Sequence, residues 1–87
     1  MVKKRRNSLE IAADILRVAK RGAKKTHIVY KANLNFNILH EYLDELTDAG
    51  LIENSKEGNG TIKTTEKGVQ YLNYYHGLKQ FMNNPIP

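Results

Sequence analysis

The stretch Thr26-His27-Ile28-Val29-Tyr30-Lys31-Ala32-Asn33-Leu34-Asn35-Phe36-Asn37-Ile38-Leu39-His40-Glu41-Tyr42-Leu43-Asp44-Glu45-Leu46 reads as two short helices around a tight turn. Thr26 is placed to cap a helix over 27–32, whose apolar residues are Ile28, Val29 and Ala32. Asn33-Leu34-Asn35 reads as the turn, and Asn35 as the N-cap of a second helix over 36–49 that Gly50 stops. In that helix Phe36, Leu39, Leu43 and Leu46 recur at spacings of 3, 4 and 3, which marks one inward face. Two helices joined this closely form a helix-turn-helix.

The flanking sequence completes the unit. Ser8 is expected to cap a helix over 9–21, with Glu10 in its first turn, Lys20 and Arg21 in its last, and Gly22 as the left-handed residue beyond. Leu9, Ile11, Ala12, Ala13, Ile15, Leu16, Val18 and Ala19 cover more than one stripe, so this helix must be buried on two sides. On the other flank, strands over 51–54 and 61–64 enclose the loop 55–60, in which Asn59-Gly60 is a tight-turn signal. Thr65 then caps a helix over 66–82, interrupted by Gly77 at a cost of about 1 kcal/mol against alanine.

Helix, short helix, helix, hairpin, helix is the order of a winged helix-turn-helix with one added C-terminal helix, mainly α with a small β-hairpin. The expected division is a flexible basic arm over 1–7, the winged helix-turn-helix over 8–64, a dimerisation helix over 65–82 and a tail over 83–87.

Six segments in this order look familiar: Leu9-Glu10-Ile11 through Asp14-Ile15-Leu16, Gly22-Ala23-Lys24-Lys25-Thr26, Asn33-Leu34-Asn35-Phe36, Tyr42-Leu43-Asp44-Glu45-Leu46, Ala49-Gly50-Leu51-Ile52 and Thr65-Glu66-Lys67-Gly68. Together, over about residues 8–75, they resemble the archaeal winged-helix family of predicted transcriptional regulators. The pattern is also similar to the small chromatin-type winged-helix proteins of Sulfolobus. The resemblance implies DNA binding, commonly as a homodimer joined by the last helix. In the chromatin-type members that helix forms a long antiparallel coiled coil, whereas here it runs only to about Met82.

The composition agrees with one globular domain: 87 residues, 40% hydrophobic and 26% charged. With no cysteine, disulfide frameworks, thiolate zinc sites and thiol catalysis are excluded. No apolar run approaches the roughly 20 residues that span a bilayer, and the basic Met1–Arg6 segment is not followed by an apolar stretch, so neither a membrane partner nor a signal peptide is expected. A cytoplasmic, nucleoid-associated protein is the expectation.

Charge gives the functional clue. Residues 1–31 hold ten of the fourteen Lys/Arg against Glu10 and Asp14, a local net of +8, and the remaining residues carry −3, which reproduces the overall +5. Such an asymmetric positive field favours a polyanionic partner, nucleic acid first and an anionic membrane surface second. Yet helix 36–49 bears four acids and no Lys or Arg, so only its N-terminal end can enter a groove. Asn35, Asn37 and His40 are the base-edge candidates there, Asn35 also serving as cap and Glu41 able to accept from cytosine. Phosphate contacts are assigned to Lys24, Lys25 and Thr26 at the start of the short helix, Lys31 at its end, Lys56 and Lys63 on the hairpin, and Lys3, Lys4, Arg5 and Arg6 in the arm. The arm equally reads as a solvated tail, and Arg17 and Arg21 as flanking Asp14 along the first helix.

The last helix carries two apolar faces. Val69, Leu72 and His76 face the domain core; Tyr71, Tyr75, Leu78 and Met82, spaced 4, 3 and 4 and bordered by Tyr74 and Phe81, form a seam for the same helix of a second subunit or a cover for the first helix. The competing function is a protein-interaction module that uses the acidic face of helix 36–49. His27, His40 and His76 have no metal-ligand spacing, no phosphate-cradling glycine motif occurs, and no cofactor or enzymatic activity is expected.

Overall fold

The computed structural model describes residues 6–55 and 60–83, the side chains of 82 and 83 excepted. Helix α1 is Ser8–Val18, strand β1 Ala23–Lys24, helix α2 Lys25–Ala32, helix α3 Phe36–Asp48, strand β2 Ile52–Asn54, strand β3 Thr61–Thr64 and helix α4 Glu66–Asn83. The three strands form an antiparallel sheet in the order β1-β3-β2. Ala23 pairs with Ile62, Lys24 with Thr61, Ile52 with Thr64, Glu53 with Lys63 and Asn54 with Ile62. The core joins Ala12, Ala13, Ile15, Leu16 and Ala19 to Ile28, Leu39, Leu43, Leu46, Ile52, Ile62 and Leu72. As its broad apolar surface requires, α1 is covered by α2 on one side and α4 on the other.

The α1 cap is Asn7 rather than Ser8. Its Oδ1 accepts from the Glu10 N–H at 2.8 Å, and Glu10 Oε1 accepts from the Asn7 N–H at 3.1 Å, a reciprocal capping box. The spacing Asn7-x-x-Glu10 is legible in the sequence and is what decides between the two adjacent polar residues. α1 also ends earlier than expected, because residues 19–22 turn the chain into β1. Gly22 has φ +97°, and a Cβ there would lie 3.0 Å from Thr61 Cγ2 on the neighbouring strand. β1 is an addition to the expected elements, since two residues leave no periodic signal in the sequence.

Thr26 does not cap α2. The cap is Lys24, whose side chain makes no capping bond, and Thr26 lies exposed in the first turn. α2 stops where Asn33 adopts the left-handed conformation, φ 56°, and the Leu34 N–H reaches back to the Val29 carbonyl at 3.0 Å. Asn35 caps α3 as expected, its Oδ1 accepting from the Ile38 N–H at 2.8 Å. Leu39, Leu43 and Leu46 are buried, but Phe36 is 46% exposed. As the first residue of α3 it stands one turn beyond Leu39, where no element covers it fully.

α3 is clamped at its other end. Thr65 Oγ1 caps α4 by accepting from the Gly68 N–H at 3.1 Å and donates to the Gly50 carbonyl at 2.6 Å, while Lys67 Nζ donates to the Ala49 carbonyl at 2.7 Å. Gly68 makes the approach possible, because a Cβ there would fall 2.3 Å from the Leu51 carbonyl oxygen. Thr64, the one buried polar residue among those described, donates its hydroxyl to the Leu16 carbonyl at 2.7 Å. That bond satisfies the hydroxyl and ties the sheet to α1.

Candidate nucleic-acid interface

Lys24 and Lys25 are adjacent in sequence but belong to opposite sides of the sheet. Ala23 is buried, so strand alternation turns Lys24 outward, opposite Thr61 and on the same face of the sheet as the exposed Lys63 of β3. Lys25 begins α2 and lines a cleft between the inner side of the sheet and α3, together with His40, Asp44 and Thr47. Lys24 is the N-cap of α2 and Lys25 and Thr26 its first two residues, so all three stand at the start of that helix as expected, with Lys24 turned to the outer side and Lys25 towards α3. Lys31 is exposed at the end of α2.

A second groove, of about 630 Å³, runs over the outer side of the sheet between the ends of α1 and α4. Lys20, Arg21 and Lys63 line it, opposed by Glu53 and Glu66. Lys20, Arg21, Lys24, Lys25, Lys31 and Lys63 form no ion pair or side-chain hydrogen bond among the described residues. Arg21 does not flank Asp14, which instead takes Arg6 and Arg17. Lys20 and Arg21 stand outside the phosphate contacts expected from the sequence. The available signal was the acid-free run from Arg17 to Lys25, which holds Arg17, Lys20, Arg21, Lys24 and Lys25.

Arg6 is withdrawn from the basic arm. Its guanidinium pairs with Asp14 at 2.8 Å and donates to the carbonyls of Ala32 at 2.6 Å and Asn33 at 2.9 Å. It therefore closes the C-terminal end of α2, where a cation opposes the helix dipole. Lys3, Lys4, Arg5 and Lys56 lie outside the described residues.

α3 presents a divided surface. Asn35, Phe36, Asn37, Ile38 and His40 are exposed towards its start, and Glu41, Asp44, Glu45 and Asp48 are exposed behind them. Asn35 has one side-chain oxygen committed to its cap, which leaves Asn37 and His40 as the unengaged polar groups of the leading end.

On α4, Leu72 is buried, as expected, while Val69 is half-buried and His76 exposed. Tyr71 and Tyr75 pack partly against the domain's own core, and the Tyr71 hydroxyl donates to the Leu9 carbonyl at 3.2 Å. Burial pushes the Tyr71 phenol above the ordinary tyrosine range, with Tyr75 and Tyr42 nearby adding to the shift. The exposed apolar residues of α4 are instead Tyr74, Leu78 and Phe81, at 75, 59 and 82% exposure, again at spacings of 4 and 3. The Met82 side chain lies outside the description. Among the described residues no helix is long and apolar enough to cross a membrane, and no cluster of His, Asp and Glu could hold a metal ion.

Residues 5–83 match the winged helix-turn-helix family. The chain belongs to the winged helix-turn-helix family. An uncharacterized protein of Methanocaldococcus jannaschii is 32% identical to it over 81 residues, covering 92% of this chain and 80% of the relative. This winged helix-turn-helix also superposes on the crystal structure of Sso10a-2, a DNA-binding protein from Sulfolobus solfataricus, with a TM-score of 0.81 and 29% identity, over 91% of this chain and 84% of that one. In these family terms α2 and α3 are the helix-turn-helix and β2 with β3 the wing.

Proposed function

We propose that the chain binds double-stranded DNA as a homodimer, in transcriptional regulation or as a nucleoid-associated chromatin protein. The carrying observation is the set of unpaired cations around the wing sheet and the start of α2, set against a recognition helix that is acidic except at its leading end. Lys24, Lys63, Lys20 and Arg21 on the outer side, with Lys25 and Lys31 on α2, supply phosphate contacts that are independent of sequence. The first turn of α3 supplies what base reading there is. The likeness to Sso10a-2, described as DNA-binding, supports the same reading.

The dimer part of the proposal rests on α4. Tyr74, Leu78 and Phe81 form an exposed apolar stripe with heptad-like spacing, and among the described residues nothing lies within 4 Å of where a Cβ at Gly77 would stand. A two-fold partner would present two copies of α3 and favour a DNA site with inverted symmetry. No step of this function requires a cofactor or catalysis.

A titration of fluorescent duplex at several salt concentrations tests the proposal. Lys24→Ala with Lys25→Ala is expected to weaken binding about equally on unrelated sequences. It should also flatten the dependence of log affinity on log salt by about 0.9 for each lost phosphate contact. Absence of salt-dependent duplex binding by the wild type rejects the proposal. It would favour the second reading, a protein-interaction module, which the four exposed and unpaired carboxylates of α3 support.

A further inference from the structure

α3 offers a nucleic acid a single approach. Glu41, Asp44, Glu45 and Asp48 are exposed and form no ion pair among the described residues, so the rear of the helix repels phosphates. The first turn carries no carboxylate. Asn35 is engaged by its cap, but the Asn37 side chain is exposed and has no hydrogen-bond partner among the described residues. Beside it stands Phe36, its ring half open to solvent although the residues that continue its series, Leu39 and Leu43, are buried. Phe36 and His40 are one helical turn apart, and His40 lines the cleft that holds Lys25. An apolar ring and a free amide thus share the first turn of α3, the part of the helix without a carboxylate, while the Lys25 cleft beside His40 also holds Asp44 and Glu53.

We infer that Phe36 and Asn37 read A·T pairs, the ring touching the thymine methyl group and the amide bonding the adenine edge. In the major groove thymine alone among the four bases carries an exposed methyl group. Adenine alone presents the N6 donor beside the N7 acceptor that an amide matches in two bonds. A G·C pair offers the ring no apolar group and Asn37 no such match. This assignment rests on the double-stranded DNA reading, and the experiment separates the two.

The full chain is titrated with an alternating A·T duplex and with the same duplex carrying deoxyuridine for thymidine, which removes only the methyl groups. Burial of one methyl corresponds to about a fourfold change in affinity, so the wild type is expected to bind the deoxyuridine duplex at least about fourfold more weakly. Phe36→Ala should bind both equally, and Phe36→Leu, still apolar, should keep the preference. In a G·C duplex, 5-methylcytosine places a methyl at the same ring position and should strengthen binding by the wild type but not by Phe36→Ala. Equal wild-type affinity for the thymidine and deoxyuridine duplexes overturns the Phe36 assignment and leaves DNA binding standing. Failure to bind any duplex overturns the DNA reading itself. The wild-type comparison needs no variant to fold.

Discussion

Arg6 and Asp14 are joined by an ion pair of 2.8 Å, and the same guanidinium holds the carbonyls of Ala32 and Asn33 at the turn of the helix-turn-helix. One side chain thereby connects the segment before α1, the side of α1 and the end of α2. Asp14 is held from its other oxygen by Arg17 at 2.9 Å.

Arg6→Ala should therefore act on stability rather than on DNA affinity. Both partners are about a third exposed, so solvent screens the pair, and most of the loss comes from the two carbonyls left without the guanidinium. The expected cost is about 1 kcal/mol, or about 4–8 °C in melting temperature for a domain of this size. A salt titration of duplex binding at a temperature where the variant is folded should give the wild-type slope. A shallower slope would mean that Arg6 contacts phosphate after all.

Two glycines of α4 should respond in opposite directions to alanine. At Gly68 the new Cβ would meet the Leu51 carbonyl oxygen at 2.3 Å and Thr64 Cγ2 at 2.5 Å, so the junction of α3, β3 and α4 must move apart. Gly68→Ala is expected to destabilise by about 1–3 kcal/mol. Gly77→Ala meets nothing within 4 Å among the described residues and should stabilise the helix by about 1 kcal/mol. Chemical denaturation of the two variants reads both effects. If Gly77→Ala also weakens self-association, close helix contact at that position in a dimer is the reason.

Tyr71 makes stability sensitive to alkali. Its ionised form is disfavoured in the folded state by burial first, and then by the neighbouring Tyr75 and Tyr42, so its folded pKa lies above the unfolded one. The corresponding stability is fully present below about pH 10, the unfolded tyrosine value, and is lost as pH rises through the raised folded value. Tyr71→Phe removes this dependence, along with the bond to the Leu9 carbonyl. Melting curves of both proteins from neutral pH to pH values above the tyrosine range should show the wild type losing its advantage as the phenol ionises. A constant difference across that range would rule out the coupling.

Leu78→Glu places a charge within the exposed stripe of Tyr74, Leu78 and Phe81, at a residue that is itself 59% exposed. Under the dimer proposal the variant should sediment as a monomer, bind duplex more weakly and keep the wild-type helical spectrum. A wild type that sediments as a monomer at tens of micromolar, roughly where a weak dimer still forms, would remove the dimer from the proposal. The stripe is short: Tyr74 to Phe81 covers about 10 Å of helix at 1.5 Å per residue. Association should therefore be concentration-dependent.

Residue periodicity by itself determined the order of the main elements. The Leu39, Leu43, Leu46 series, the Asn35 and Thr65 caps and Gly22 each act within a few residues of their own position, where local geometry leaves one solution. Charge asymmetry was likewise legible, because it needs only counting. Tertiary structure alone decided which polar residues are free. Arg6 became a strut because α2 ends within its reach, Lys24 and Lys25 parted because a two-residue strand forms on β3, and Tyr71 turned inward because α4 crosses the start of α1. Phe36 fitted the inward series by spacing yet stayed half exposed, since periodicity fixes the direction of a side chain but not whether another element stands there to cover it.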